Sequence, residues 1–170
     1  MDPYEYQFEN LSRNSLHWHN KASDLFTSAR VLWEAMDNGH AIECWSTYKM
    51  LMGLSFELLF KAIAMQRKLA FSATHQLVEI ANSAHIRLTT DEKEILRVLT
   101  EYILWGGKYP VPHKKTHLEN HWKHENKVAY DKEKHGSLTI ERGNNKLDLD
   151  ELAKIWIKYS DIYMIEHTKR

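Results

Sequence analysis

Cysteine, proline and glycine are all scarce in this chain, and each scarcity closes off a class of fold. A single cysteine, Cys44, excludes an internal disulfide framework and fits a reducing compartment, where it reads as a small core residue rather than a nucleophile. Three prolines and six glycines in 170 residues disfavour a turn-rich β fold and leave no flexible linker. The chain therefore reads as one domain over residues 1–170, long enough to bury a substantial core. An excess of charge of either sign is also lacking. Acidic and basic residues balance at 23 each, so the whole molecule offers no general attraction for nucleic acid or membrane, and any such binding has to come from a local patch. The beginning, Met1-Asp2-Pro3-Tyr4, has no basic residue and no apolar run. The longest apolar stretch, Leu51 to Met65, is broken by Gly53, Ser55, Glu57 and Lys61 and is too short to span a bilayer. These features predict a soluble, cytoplasmic protein without a membrane partner.

What is present is helical periodicity. Leu25, Ala29, Leu32, Trp33 and Met36 share one face of a helix over about Ser15 to Asn38, stopped by Asn38-Gly39. A second helix is predicted from about Ala41 to Lys68, an antiparallel neighbour of the first across the short connection at Gly39-His40. After a break at Phe71 to Thr74, a short helix fits His75 to Ala84. A fourth is announced by Thr89 and Glu92, spaced as a capping box, and runs through Ile95, Leu99 and Ile103 to Gly106-Gly107. A last helix begins at Asp148, whose side chain is placed to cap it. Leu152, Ile155, Trp156, Tyr159, Ile162 and Tyr163 form its docking face. Between Pro112 and about Lys146 the chain is crowded with histidine and lysine. Ser137 to Lys146 reads as a short hairpin or a loop, with Gly143-Asn144-Asn145 as turn chemistry. The prediction is an all-α bundle of four main helices plus a C-terminal helix, with a basic insertion at about 113–147.

Polar groups stand out against this apolar background. Leu54 to Met65 is apolar nearly all round a helix, yet Glu57 and Lys61 interrupt it one turn apart. Buried charges have to be paired or used. Two readings stand: an intrahelical ion pair in the favourable orientation, or two groups lining a cleft or interface. His75 either caps or bonds backbone at a helix start or lines the same cleft. Further on, Lys108-Tyr109-Pro110 and His113 follow a helix stop, stiffened by Pro110 and Pro112.

The order of these pieces resembles the HEPN family, small all-α domains of prokaryotic defence and toxin systems. In that family an E-x-x-x-K helix precedes an H-x-L helix and a late R-Y-P turn. The resemblance covers about Ser28 to His113. Glu57 and Lys61 match the first pair, His75 the second motif, and Lys108-Tyr109-Pro110 the third, with Lys108 where the family prefers arginine. Ribonuclease members carry R-x4-6-H, and Lys108 with His113 reads as K-x4-H. The resemblance implies a metal-independent endoribonuclease, with no cofactor, that leaves a 2′,3′-cyclic phosphate and a 5′-hydroxyl. His113 would move the proton, a task suited to an imidazole that titrates near neutrality. Lys108 would meet the charge building on the phosphoryl oxygens, as a point donor rather than a planar fork. The same turn occurs in members that do not cut RNA, so a structural or binding role for Lys108 and His113 stays open beside catalysis. The resemblance also implies a homodimer with the two turns near a shared cleft. It further implies RNA or a nucleotide as ligand, and an antitoxin or a nucleotidyltransferase as partner. The rival reading is a non-catalytic interaction module that binds a partner protein through its helical faces.

From Lys108 to His135, seven lysines face four acids, a local net charge of +3, and Tyr109, Trp122 and Tyr130 lie among them. Basic groups interleaved with aromatics hold a single-stranded backbone and stack its bases; an ordinary solvated face carries the same composition. Lys114 and Lys115 would extend the binding surface beside Tyr109. His117 and His121 have the one-turn spacing of metal ligands, but no His-Glu-x-x-His frame or cysteine set accompanies them, so no metal site is predicted. Neither a Gly-rich phosphate loop nor a serine nucleophile elbow is present.

Overall fold

The computed structural model describes residues 2–39, 43–71 and 73–169. Among them lie seven α-helices and one two-stranded hairpin. In chain order these are α1 (Pro3–Arg13), α2 (Ser15–Asp37), α3 (Trp45–Gln66), α4 (Leu77–Ser83) and α5 (Thr90–Glu101). A π-helical turn (Tyr102–Gly106) prolongs α5, and α6 (Lys115–Ala129), β1 (Tyr130–His135), β2 (Leu138–Gly143) and α7 (Leu149–Thr168) follow. The protein is thus mostly helical, as its composition predicts. None of its described helices is long and apolar enough to cross a membrane.

Helix α3 is the centre, because its apolar residues run round every side. Met52, Phe56, Leu59, Phe60, Ile63 and Ala64 are all fully buried, and α2, α4, α5 and α7 pack around them. Helices α2 and α3 are antiparallel. Ser15 at the start of α2 donates to Gln66 at the end of α3 (3.3 Å), while Trp33 near the end of α2 packs on Tyr48 near the start of α3 (ring centroids 5.1 Å). Gly39 takes the left-handed conformation (φ 73°) just past α2, the role its position predicted. The expected start of α3 at Ala41 and the connection through His40 lie outside the described residues, as does Ser72 in the break before α4. At Gly53, α3 meets the end of α5 and the π-helical turn so closely that a Cβ would stand 2.8 Å from Ile103 Cγ1 and 3.1 Å from Leu99 O, so a larger residue would force Ile103 to shift.

The capping box of α5 forms as predicted: Glu92 N–H donates to Thr89 Oγ1 (3.2 Å) and Thr89 N–H to Glu92 Oε2 (2.8 Å). Glu92 also accepts from Tyr159 (2.9 Å) and Lys158 (2.7 Å), which ties α7 to the start of α5. The predicted face of α7 docks, with Leu152, Trp156, Tyr159 and Tyr163 buried and Ile155 and Ile162 partly so.

Four expectations need correction. Helix α4 begins at Leu77, so His75 lies in the segment leading into it and does not cap it. Asp148 stands at the N-cap of α7 but makes no capping hydrogen bond. The hairpin runs over residues 130–143 and turns at Gly136-Ser137; Gly136 has φ 64°, the positive value that two-residue hairpin turns require, and Gly143 to Asn145 leads out of β2 instead. The start of the basic insertion is a regular helix, α6, which packs along α5. Helix α1, which the hydrophobic periodicity did not reveal, is capped by Asp2 accepting from Tyr4 N–H (3.1 Å) and buries none of its residues.

Candidate functional site

The π-helical turn at the end of α5 launches the segment that holds Lys108 and His113. Its wider spiral lets Gly107 N–H donate to Tyr102 O (2.9 Å) and aims the Trp105 carbonyl at two amides in succession, Lys108 and Tyr109 (each 2.8 Å). Gly107 packs against the Met50 side chain, where a Cβ would clash. From this anchored base, Lys108, Tyr109 and His113 project as exposed residues, and Tyr109 to His113 line a shallow concavity. The Lys108 ammonium lies 6.0 Å from the Tyr109 ring centroid. Lys114 is exposed at the N-cap of α6, and Lys115 pairs with Glu119 (3.1 Å).

Beneath this loop is a layer of buried polar groups. Glu101 is only 6% exposed, and its Oε2 accepts from the Trp105 indole (3.0 Å) and lies 3.1 Å from His117 Nδ1. Trp105 anchors the entry to the loop and His117 sits in the first turn of α6 at its exit, so one carboxylate oxygen closes the base of the loop from both sides. Next to it, Glu125 receives Lys49 (2.6 Å), the Tyr102 hydroxyl (3.0 Å) and His121 Nε2 (2.9 Å). Burial by itself would raise the Glu125 carboxyl, but the His121 hydrogen bond and the Lys49 ammonium outweigh it and bring it down to about 2. Burial, with Glu125 alongside, pushes the Tyr102 hydroxyl well above its ordinary value. The His121 ring meets Tyr102, Trp105 and Trp122 edge-on, with centroids 5.1, 5.2 and 5.8 Å away. Farther along α6, His124 and Lys127 face Glu94 (3.5 and 3.1 Å).

His117 and His121, whose one-turn spacing is that of metal ligands, lie with His124 on α6, and each meets a carboxylate. His117 and His124 face Glu101 and Glu94 on α5, while His121 pairs with Glu125 one turn on in α6 itself, so these histidines serve packing of α6 on α5 and pairing within α6. Lys49 and Glu101 escaped the sequence reading, and Tyr102 and Glu125 were legible only as a helix-face residue and as one of the four acids between Lys108 and His135. Their one signal was a charged or aromatic residue at a core-facing helical position, and nothing local says where the partner is.

The Glu57 group does assemble. Glu57 and Lys61 are 4% and 8% exposed, and the Lys61 ammonium donates to Glu57 Oε1 (2.6 Å). The other oxygen, Oε2, holds His75 Nδ1 at 2.8 Å. With Oε2 as acceptor, Nδ1 carries a proton and Nε2 is left toward solvent, on a side chain 52% exposed. This triad fastens the segment after α3 back onto the middle of that helix. Among the described residues, no hydrogen bond or ion pair links the triad to Lys108 or His113.

By fold the chain is a mostly helical protein whose exposed Lys108–His113 loop rests on a buried layer of ion pairs. No protein-family model, curated protein or solved structure matches it.

Proposed function

We propose that the protein is a HEPN-like RNA-binding bundle that cuts the bound strand at the Lys108–His113 loop by metal-independent acid–base chemistry. One observation carries this reading. Of the histidines from 113 to 135, His117, His121, His124 and His135 each lie within ion-pair distance of a carboxylate, whereas His113 has no acidic partner among the described residues. Lys108 likewise has no carboxylate partner among the described residues. An ammonium and an imidazole with no acidic partners, exposed on a proline-stiffened loop with an anchored base, are suited to a phosphodiester approaching from solvent.

In the proposed reaction His113 takes the proton from a ribose 2′-hydroxyl and the resulting oxygen attacks the adjacent phosphorus. The bond from phosphorus to the 5′-oxygen breaks, His113 returns its proton to that oxygen, and a 2′,3′-cyclic phosphate remains on the other fragment. Lys108 faces the charge that builds on the non-bridging oxygens. Tyr109 and Trp122, 60% and 58% exposed, offer faces on which unpaired bases stack, and Lys114 and Lys115 track the backbone.

The test is incubation of wild type, Lys108→Ala and His113→Ala with total RNA and tRNA in EDTA, followed by mapping of the ends. Wild type is expected to leave cyclic phosphates, and His113→Ala to lose roughly 10²- to 10⁴-fold in rate with its fold intact. Wild type that binds RNA without cutting it removes the catalytic half of the proposal; wild type that does neither removes both and favours the interaction-module reading.

A further inference from the structure

We propose that α1 and the groove beside it are the face through which two copies of this chain pair. Tyr4, Phe8 and Leu11 lie one above the other on α1, and they are 79%, 72% and 45% exposed. Singly exposed apolar residues are ordinary, but a row of them on a helix that buries nothing is an unfilled contact. An isolated helix of this length is marginal in water, so α1 gains from any surface that covers the row.

The covering surface is on the same molecule's own face. Phe8 and Leu11 form one wall of an almost wholly apolar groove, and Trp18 from α2 and Leu58 from α3 form the rest, with His17 and Lys21 at its rim. A row and a groove side by side on one patch are what a two-fold interface requires, since each copy then offers its row to the groove of the other. Charge agrees with this occupant. Helix α1 carries Glu5 and Glu9 beside the apolar row, while Lys21 lines the groove with no carboxylate partner among the described residues, and Glu5 has no cationic one. The two-fold arrangement gives Lys21 of each copy the Glu5 of the other. This inference is independent of the RNA reading, which concerns the loop after α5.

The experiment is mass determination by light scattering on the full chain across a concentration series. Wild type is expected at twice the 20.1 kDa of one chain. Phe8→Glu combined with Leu11→Glu is expected at the mass of one chain, with the melting of the bundle unchanged when both proteins are compared at a concentration where wild type is monomeric, because α1 contributes nothing to the core. Lys21→Glu is expected to weaken association roughly fivefold or more, and Glu5→Lys in the same chain to restore it. Wild type that stays monomeric at 100 µM (~) overturns the proposal and leaves the row to a different protein. A dimer that survives the double α1 substitution, or a charge reversal that restores nothing, overturns it as well.

Discussion

Helices α1 and α6 are both amphipathic and reverse the usual distribution of residues. Helix α1 exposes Tyr4, Phe8 and Leu11 and buries none of its residues, whereas α6 turns His117, His121, His124 and Glu125 inward and leaves Leu118 and Trp122 partly in solvent. The difference teaches that what a helix buries is decided by what waits on the facing surface. Glu101, Glu94, Lys49 and Tyr102 wait for α6, and Glu101, Lys49, Tyr102 and Glu125 gain charged or hydrogen-bonding partners there, while His121 Nδ1 stays buried without one among the described residues. Among the described residues, none covers the row on α1, whose Phe8 and Leu11 only border the groove beside them.

The comparison breaks most visibly if a partner under α6 is removed. Glu125→Ala leaves Lys49, Tyr102 and His121 facing an empty, desolvated position, and is expected to cost ~3–5 kcal/mol in denaturant unfolding. A loss under ~1 kcal/mol would mean that water reaches this layer and that the comparison with α1 is one of degree.

Acid tests the same layer without mutation. The Glu125 carboxyl, ordinarily near 4.5, is held at about 2 in the folded protein, so its contribution is fully present above about pH 4.5 and is lost as the pH falls through 2. Integrated over that interval, it is ~3 kcal/mol. For Glu94, too, burial works upward but is outweighed by the Lys127 hydrogen bond and the Arg97 charge, so its loss has the same sign. Tryptophan fluorescence, with Trp105 and Trp122 beside His121, should report α6 loosening in this window before global unfolding.

A smaller effect sharpens the link from α6 to the loop. Glu101→Gln keeps an acceptor for the Trp105 indole but removes the charge facing His117, and should cost ~1–2 kcal/mol. Hydrogen exchange at the Lys108 and Tyr109 amides should rise, and faster exchange confined to α6 would detach the loop from the Glu101 oxygen. At the other extreme, Phe8→Ser in α1 is expected to change monomer stability by no more than ~0.5 kcal/mol, read from melting at low concentration. A larger loss would show that α1 packs on its own bundle after all.

Much of the fold was legible because its signals are local. The apolar period of α2 and α7 and the Thr89–Glu92 box need only neighbours within a turn or two, and each forms as read. Glu57 and Lys61 were legible as a pair for the same reason, being one turn apart on α3. His75 was legible only as a choice between roles, since its partner lies on a helix that has already ended. The hairpin turn was misplaced because Gly143-Asn144-Asn145 and Gly136-Ser137 both carry turn chemistry, and strand pairing chose between them. Helix α1 escaped notice because its row is short and mostly aromatic, with no aliphatic period to mark it.

The sequence by itself determined that this protein is helical, where most of its helices begin and end, and that Lys108 and His113 share a stiffened segment. Periodicity, capping and proline geometry act over a few residues, and the chain carries them wherever it goes. Tertiary structure alone decided which ionisable groups are bound and which are free. Lys49, Glu101 and Glu125 are far apart in the chain, and only packing of α3, α5 and α6 brings Lys49 and Tyr102 to Glu125 and His117 to Glu101 within 3.1 Å. Desolvation and Coulomb attraction depend on distances in space, so the contrast between His117, paired with Glu101 on another helix, and His113, with no acidic partner among the described residues, arises only when the helices meet.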